Sequence, residues 1–173
     1  KYGDALSSLE VQEVSTPKVG DNQILIKVHS ASFNPFDYKL LRGDFKAMGK
    51  IQFPEGIGKD VSGVVEKVGK KVKTFKAGDK VYSRIDESFA GTMAEYVISN
   101  ASDSANIPSN LSHEESAGVP LAGLTAYQAL TDVVKLSKGE RILIHAGSGG
   151  VGTFAIQFAK HLGAKVTTTT STK

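Results

Sequence analysis

One segment, residues 142–155, constrains the fold of this chain more than any other. It joins an apolar run to a glycine-rich turn and then to a mostly apolar stretch with helical spacing. Gly147, Gly149 and Gly152 follow the pattern G-x-G-x-x-G, which permits a tight turn and a close approach of the backbone to a pyrophosphate. A helix that begins near Val151 points its unpaired N–H groups at those phosphates. The segment predicts a dinucleotide site in preference to an ordinary strand-to-helix turn, and the predicted binding residues are Ala146, Gly147, Ser148, Gly149, Gly150, Val151 and Gly152.

The residues that follow this segment indicate which dinucleotide is bound. In such folds an Asp or Glu about 20 residues after the glycines accepts hydrogen bonds from the ribose of NAD. Residues 165–173 contain threonines, Ser171 and Lys173 but no acidic residue. Hydroxyls and an ammonium suit the 2′-phosphate of NADPH, which a carboxylate would repel. We therefore predict NADPH, with Ser171 and Lys173 among its ligands. In the alternative interpretation the threonines only favour a strand and Lys173 is a solvated chain end.

Composition excludes several other classes of function. A net charge of +3, spread along 173 residues, is too small to predict nucleic-acid binding. The sequence has no cysteine, so it has neither a disulfide nor a thiolate zinc site, and its four histidines lie far apart. We find no apolar stretch long enough for a membrane span and no export leader, which predicts a cytoplasmic protein with no membrane partner.

The first two-thirds of the chain have a different character. Short β-rich runs separated by glycine turns, at 23–31, 61–69 and 78–83, are typical of a small curled β-barrel. Beyond residue 102 the pattern changes, with a helix entry at Ser112 and a helical run from residue 121 to 134. We place a domain boundary near residue 120, which gives a substrate domain over 1–120 and the start of a nucleotide-binding domain over 121–173.

The second of these domains is too short to fold in the usual way. A doubly wound sheet needs several more strands, and both of its faces must be covered. Two parallel strands and one helix cannot bury themselves. We therefore expect the sequence to be part of a longer enzyme; in the alternative, a partner supplies the missing part of the sheet.

Five short motifs occur along the chain in a fixed order. They are Asn34-Pro35-Phe36-Asp37, Gly58 to Val65 (G-x-D-x-x-G-x-V), Gly78-Asp79-Lys80-Val81, Leu124-Thr125-Ala126-Tyr127, and Ala146 to Gly152 (A-x-x-G-G-V-G). In this order and at these spacings they resemble the medium-chain dehydrogenase/reductase superfamily, and within it the zinc-free quinone oxidoreductase branch. The resemblance implies an α/β protein with a β-barrel, in which a GroES-like barrel domain precedes the first part of a Rossmann-type doubly wound parallel sheet. It also implies a homodimer of the full-length protein.

The departures from the zinc-dependent relatives bear on the chemistry. Those relatives place a Cys near Asn34 and a Gly-His-Glu near Gly58, where this chain has Lys59 and Asp60. An amide and an ammonium do not make a zinc site. The resemblance therefore implies metal-free transfer of hydride from NADPH to a quinone or an α,β-unsaturated carbonyl.

Four residues are candidates for this chemistry. Lys39 stands in a D-x-K context that resembles that of plant enone and alkenal reductases, and its ammonium can stabilise a developing enolate; as an alternative it is a solvent-facing lysine at a strand end. Asn34 is a candidate amide donor to the substrate oxygen or the cofactor ribose, or it forms a side-chain turn before the proline. Tyr38 is a proton donor or packs in the core. By resemblance, Thr125 lies near the nicotinamide.

Three further interpretations stay open. Phe33, Phe36 and Phe45 form either an aromatic floor for the acceptor or part of the core. The chemistry itself also suits a 2-enoyl-thioester reductase, which acts on an acyl carrier. A family member that binds NADPH without catalysis is the remaining alternative.

Overall fold

The computed structural model describes residues 2–3, 5–48, 56–85 and 91–171. It divides into two compact units, Lys1–Gly118 and Val119–Lys173. The division falls two residues before the boundary expected from the sequence. Lys173, which we predicted as a cofactor ligand, lies outside the described residues.

The first unit is built on a five-stranded antiparallel sheet in the order β4-β1-β2-β3-β5. Its strands are β1 (Gln23–Ser32), β2 (Asp60–Val68), β3 (Lys80–Arg84), β4 (Tyr96–Asn100) and β5 (Ser104–Asn106). The two edge strands, β4 and β5, are joined by a single 3-10 turn, Ala101–Asp103, so the sheet has to curl until its edges approach. The 2.7 Å hydrogen bond between the hydroxyls of Ser83 and Ser99 joins β3 to β4, which are not neighbours in the sheet. The predicted β-barrel is confirmed.

Alternation along these strands fills the barrel. In β1, Ile24 and Ile26 point inward, and register shifts after Leu25 and after Val28 bend the strand around the core. β-Branched side chains dominate because they pack well on a pleated surface. The fully buried core consists of Ile24, Ile26, Val61, Val65, Val81, Ile85 and Val97.

Within the described residues of this unit there are three α-helices: α1 (Ala5–Ser8), α2 (Pro35–Arg42) and α3 (His113–Ala117). Helix α2 starts after Asn34 with proline in its first turn, and it stops at Gly43, whose φ of 83° is left-handed. Lys39 therefore lies in a helix and not at a strand end, and it faces solvent as the alternative expected. The helix entry predicted at Ser112 is present as a capping box, with Ser112 and Glu115 each accepting from the other's backbone N–H.

The second unit starts with α4 (Pro120–Gln128), which passes into a π-helical turn, Ala129–Val133. Strand β6 (Arg141–Ile144), helix α5 (Gly150–His161) and the parallel strand β7 (Lys165–Thr168) follow. Its core packs α4 and α5 on β6 through Ala126, Leu130, Ile144, Ala155 and Ala159. In the described part of the chain, no helix has the length and hydropathy that crossing a membrane requires.

A histidine pair joins α3 to the sheet. The rings of His29 and His113 stack with centroids 4.4 Å apart, and the Nδ1 atom of His113 lies 2.6 Å from the hydroxyl of buried Ser62. Burial lowers the pKa of His113, as do the nearby charges of His29 and Lys80, while Glu114 opposes them. The folded barrel therefore favours neutral His113.

We expect this barrel to lose stability in acid. An unfolded histidine has a pKa of about 6.5, so below that pH the unfolded chain takes up a proton that folded His113 resists. The free energy of unfolding in urea should fall as the pH is lowered from about 8 to about 5.5. His113→Gln keeps a hydrogen-bonding amide and should flatten this dependence, whereas His161→Gln, at an exposed position on α5, should not. An unchanged pH dependence in His113→Gln would contradict the assignment.

Candidate active site

The glycine-rich loop between β6 and α5 is fixed by the residue that follows β7. The backbone N–H of Gly147 donates to the carbonyl of Thr169 at 2.8 Å, and the N–H of Ala146 donates to the Thr169 hydroxyl at 3.2 Å. The same hydroxyl lies 2.7 Å from Nδ1 of His145. Ala146 and Gly147 therefore shape the loop, and their N–H groups are already engaged. Sequence reasoning missed Thr169, because nothing distinguishes it from the neighbouring threonines.

The spacing of the glycines has a steric cause in the structure. A Cβ on Gly147 would collide with the hydroxyl of Thr168, and a Cβ on Gly152 would collide with the carbonyl of Ala146. Because Gly147 has no Cβ, the loop can lie close to β7, and because Gly152 has none, the start of α5 can lie close to the loop. Ala146 itself has a left-handed φ of 55°, which completes the tight turn.

The start of α5 leaves donors available. The N–H of Thr153 donates to the carbonyl of Gly149 at 2.9 Å and begins the helical pattern. The N–H groups of Gly150, Val151 and Gly152 have no backbone acceptor within the described residues, as expected in a first helical turn. Because these donors lie at the positive end of the helix dipole, the geometry fits a dinucleotide pyrophosphate.

The end of β7 carries hydroxyls in place of a carboxylate. Thr170 and Ser171 are exposed, and no Asp or Glu occurs between Lys165 and Ser171. An uncharged surface here removes the repulsion that a 2′-phosphate would meet beside an acid.

Asn34 and Asp37 form a polar junction at the start of α2. The Nδ2 atom of Asn34 donates to the hydroxyl of Ser32 and to Oδ2 of Asp60, both at 3.0 Å. The backbone N–H of Asn34 donates to Oδ2 of Asp37 at 2.6 Å. Because the amide nitrogen of Asn34 is engaged inside the protein, this geometry does not support its predicted role as a donor to the substrate.

Burial raises the pKa of Asp37. The hydrogen bond from Asn34, the positive charge of Lys59 and the backbone of Gly58 all oppose that increase. Asp37 is only 1% exposed. Asp37 therefore orients the first turn of the helix.

Lys39 and Tyr38 follow on the same helix. Lys39 is exposed, and its ammonium forms no ion pair with any residue that the structure describes. The ring of Tyr38 is half-buried, 6.4 Å from the ring of Phe33 and 5.8 Å from the guanidinium carbon of Arg42. This helix therefore presents a free cation and a phenol next to each other.

The three phenylalanines near α2 have separate environments. Phe36 and Phe45 are half-buried and stack on one another at 5.2 Å. Phe33 is 50% exposed, so it is not a core residue. Its exposure leaves an aromatic face beside Tyr38.

Thr125 lies on the exposed side of α4. Its hydroxyl donates to the carbonyl of Leu121 at 2.6 Å, so only the lone pairs of that oxygen are open to a ligand. Tyr127 packs edge-on against Phe158 with ring centroids 5.6 Å apart.

Lys59 and Asp60 stand where, by the resemblance described above, zinc-dependent relatives have a Gly-His-Glu motif. Lys59 is 4% exposed and Asp60 is fully buried. Over the described ranges, no three His, Cys, Asp or Glu side chains are grouped so that they could hold a metal ion. The predicted independence from zinc stays a prediction.

Comparison with known proteins agrees with this architecture. Residues 20–109 match the alcohol dehydrogenase GroES-like domain. The chain belongs to that family, and the presence of quinone oxidoreductase homologues among its relatives is consistent with the predicted branch of the medium-chain dehydrogenase/reductase superfamily.

Among its relatives is a chloroplastic quinone-oxidoreductase homolog of Spinacia oleracea, 38% identical over 173 residues, or 97% of this chain and 53% of the relative. The 2-methylene-furan-3-one reductase of Solanum lycopersicum is 42% identical over 167 residues, or 92% of this chain and 42% of the relative. The crystal structure of Escherichia coli quinone oxidoreductase complexed with NADPH superposes with a TM-score of 0.85 at 32% identity, covering 99% of this chain and 51% of that one.

The chain thus spans about half the length of the relatives it matches. Because the spinach relative is named as chloroplastic, the cytoplasmic location predicted for this chain stays a prediction.

Proposed function

We propose that the protein containing this chain is a zinc-independent oxidoreductase that reduces a quinone or an α,β-unsaturated carbonyl with NADPH. The observation that carries the proposal is the open first turn of α5 followed by an acid-free end of β7. The spinach and tomato relatives are named for a quinone and for an enone. As expected from the resemblance, we also propose that the full-length protein is a homodimer.

Different residues of the chain bind different parts of the cofactor. The N–H groups of Gly150 to Gly152 bind the pyrophosphate, and Ser148 and Gly149 leave room for it because neither brings a bulky side chain. Thr125 accepts a hydrogen bond near the nicotinamide. Ser171 and Lys173 hold the 2′-phosphate. Bound NADPH supplies the hydride.

Lys39 carries the chemistry on the acceptor. Its ammonium donates a hydrogen bond to the carbonyl oxygen and stabilises the negative charge that grows there as the double bond is reduced. Tyr38 is the neighbouring candidate for delivering the proton. Asn34 supports the start of this helix through its hydrogen bond to Asp60.

The test is a panel of quinones, enones and 2-enoyl thioesters offered to the full-length protein with NADPH, followed by the absorbance of the reduced cofactor. Turnover with a quinone or an enone supports the proposal. Turnover with thioesters alone would identify the alternative reductase, and NADPH binding without turnover of any acceptor would identify a non-catalytic member.

We expect the full-length protein to prefer NADPH to NADH. A charge-assisted phosphate contact is worth about 1.5–3 kcal/mol, so Lys173→Ala should weaken NADPH binding about tenfold or more. NADH binding should be unchanged, because NADH lacks that phosphate. Calorimetry with both cofactors measures the difference, and Lys165→Ala on β7 is the control for a general loss of positive charge. Equal affinities in the parent protein would contradict the prediction.

Activity should survive the removal of metals. Lys59 and Asn34 supply neither thiolate nor imidazole, so turnover after exhaustive dialysis against a chelator should match that of the untreated protein. Elemental analysis of the same samples gives the metal content. Stoichiometric zinc whose loss abolishes turnover would overturn the zinc-independent assignment.

A further inference from the structure

Three charged side chains are buried at the edge of the barrel and take no direct part in the chemistry proposed above. Asp37 is 1% exposed, Lys59 is 4% exposed and Asp60 is 0% exposed. Burying a charge costs free energy unless the group is paired or hydrogen-bonded. The contacts of these groups should therefore show what their burial achieves.

One carboxylate oxygen of Asp60 accepts hydrogen bonds from the end of β1 and from the start of α2. Its Oδ2 accepts from the hydroxyl of Ser32 at 2.9 Å and from Nδ2 of Asn34 at 3.0 Å. Ser32 is the last residue of β1, and Asn34 is the residue from which α2 starts. A carboxylate on β2 thus holds the connection between β1 and α2.

The connection continues into the helix. The backbone N–H of Asn34 donates to Oδ2 of Asp37, in the first turn of α2, and the positive charge of Lys59 acts on the same carboxyl. Only Asp37 and Leu41 of this eight-residue helix are buried. Polar contacts, more than apolar packing, therefore fix the start of α2.

We infer that Asp60 is a positioning residue for Lys39. Through Ser32 and Asn34, Asp60 fixes the first turn of α2. That turn sets the position from which the Lys39 ammonium reaches the acceptor. Lys39 lies two residues beyond Asp37 on this helix, so a shift of the first turn moves it directly. The inference rests on the proposed function, because it needs Lys39 to act on the substrate.

A double-mutant cycle on the full-length protein tests the inference. Asp60→Asn keeps the size of the side chain but removes the charge that binds two donors. We expect it to lower kcat about tenfold or more, because displacing a reacting group by a fraction of an ångström has effects of this size. The dissociation constant of NADPH, which the second unit binds, should change by less than about twofold. In the Lys39→Met background, Asp60→Asn should change kcat by less than about twofold, because the group that Asp60 positions is already absent.

Two further variants make the result unambiguous. Ser32→Ala removes one donor to Asp60 and should give the same pattern in a weaker form, so it replaces Asp60→Asn if that variant does not fold. Ser99→Ala removes a buried hydroxyl elsewhere in the barrel, bonded to Ser83 at 2.7 Å, and should leave kcat unchanged. Equal losses of kcat from Asp60→Asn in both backgrounds would overturn the inference while leaving the proposed function intact. Full activity of Lys39→Met would instead overturn the role proposed for Lys39.

Discussion

Lys39→Met is expected to lower kcat about a hundredfold, the usual loss when one preorganised donor to a developing oxyanion is removed. Methionine keeps most of the length of the side chain and none of its charge, so packing on α2 is preserved. NADPH binding should change little, because the interaction of Lys39 strengthens only as negative charge builds on the carbonyl oxygen. Steady-state kinetics with the best acceptor of the panel, together with calorimetry for NADPH, separate these two effects.

Lys46→Met is the matched control for Lys39→Met, because it removes an exposed lysine just beyond the same helix. We expect its kcat to stay within about twofold of the parent protein, as for most surface substitutions. A fall of less than about twofold for Lys39→Met as well would show that Lys39 is only a surface residue. Weaker NADPH binding with unchanged turnover would assign its ammonium to the cofactor.

Gly152→Ala should destabilise the second unit and remove most of its affinity for NADPH. The added Cβ would collide with the carbonyl of Ala146 and the backbone of Gly147, and neither is the end of a flexible side chain. Overpacking of this kind costs about 1–3 kcal/mol of stability. Relieving the collision requires the start of α5 to move away from the loop, which displaces the donors for the pyrophosphate. We expect the affinity for NADPH to fall at least about tenfold, and a lower melting temperature to accompany it.

Gly150→Ala separates steric strain from direct phosphate contact. A Cβ at Gly150 would meet only the Cβ of Ala122, at 4.0 Å, so the melting temperature should stay close to that of the parent protein. Any loss of NADPH affinity in this variant would then be due to contact between the added methyl group and the cofactor. If Gly152→Ala melted and bound NADPH like the parent protein, the steric account of the loop would be wrong.

The sequence predicted those features that depend on neighbours along the chain. The strand, loop and helix around Gly147 and Gly152, the helix entry at Ser112 and the strand β1 all arise from local spacing and local hydrogen bonding. Such patterns are fixed by steric limits on the backbone and by the periods of helix and strand, so they can be read from short segments. The ordered motifs then identified the family.

Only the tertiary structure decided what the polar side chains do. Asn34 meets Asp60 across 26 residues, and Ala146 meets Thr169 across 23, so no local pattern marks either contact. These contacts engage the side-chain amide of Asn34 inside the protein, and they engage the N–H groups of Ala146 and Gly147 within the loop. The burial of charged residues was also decided by the tertiary structure. Lys59 and Asp37 have the side chains of surface residues, but both are buried in the folded protein. The sequence by itself determined the elements and the family, whereas long-range packing decided which polar groups are left to meet a ligand.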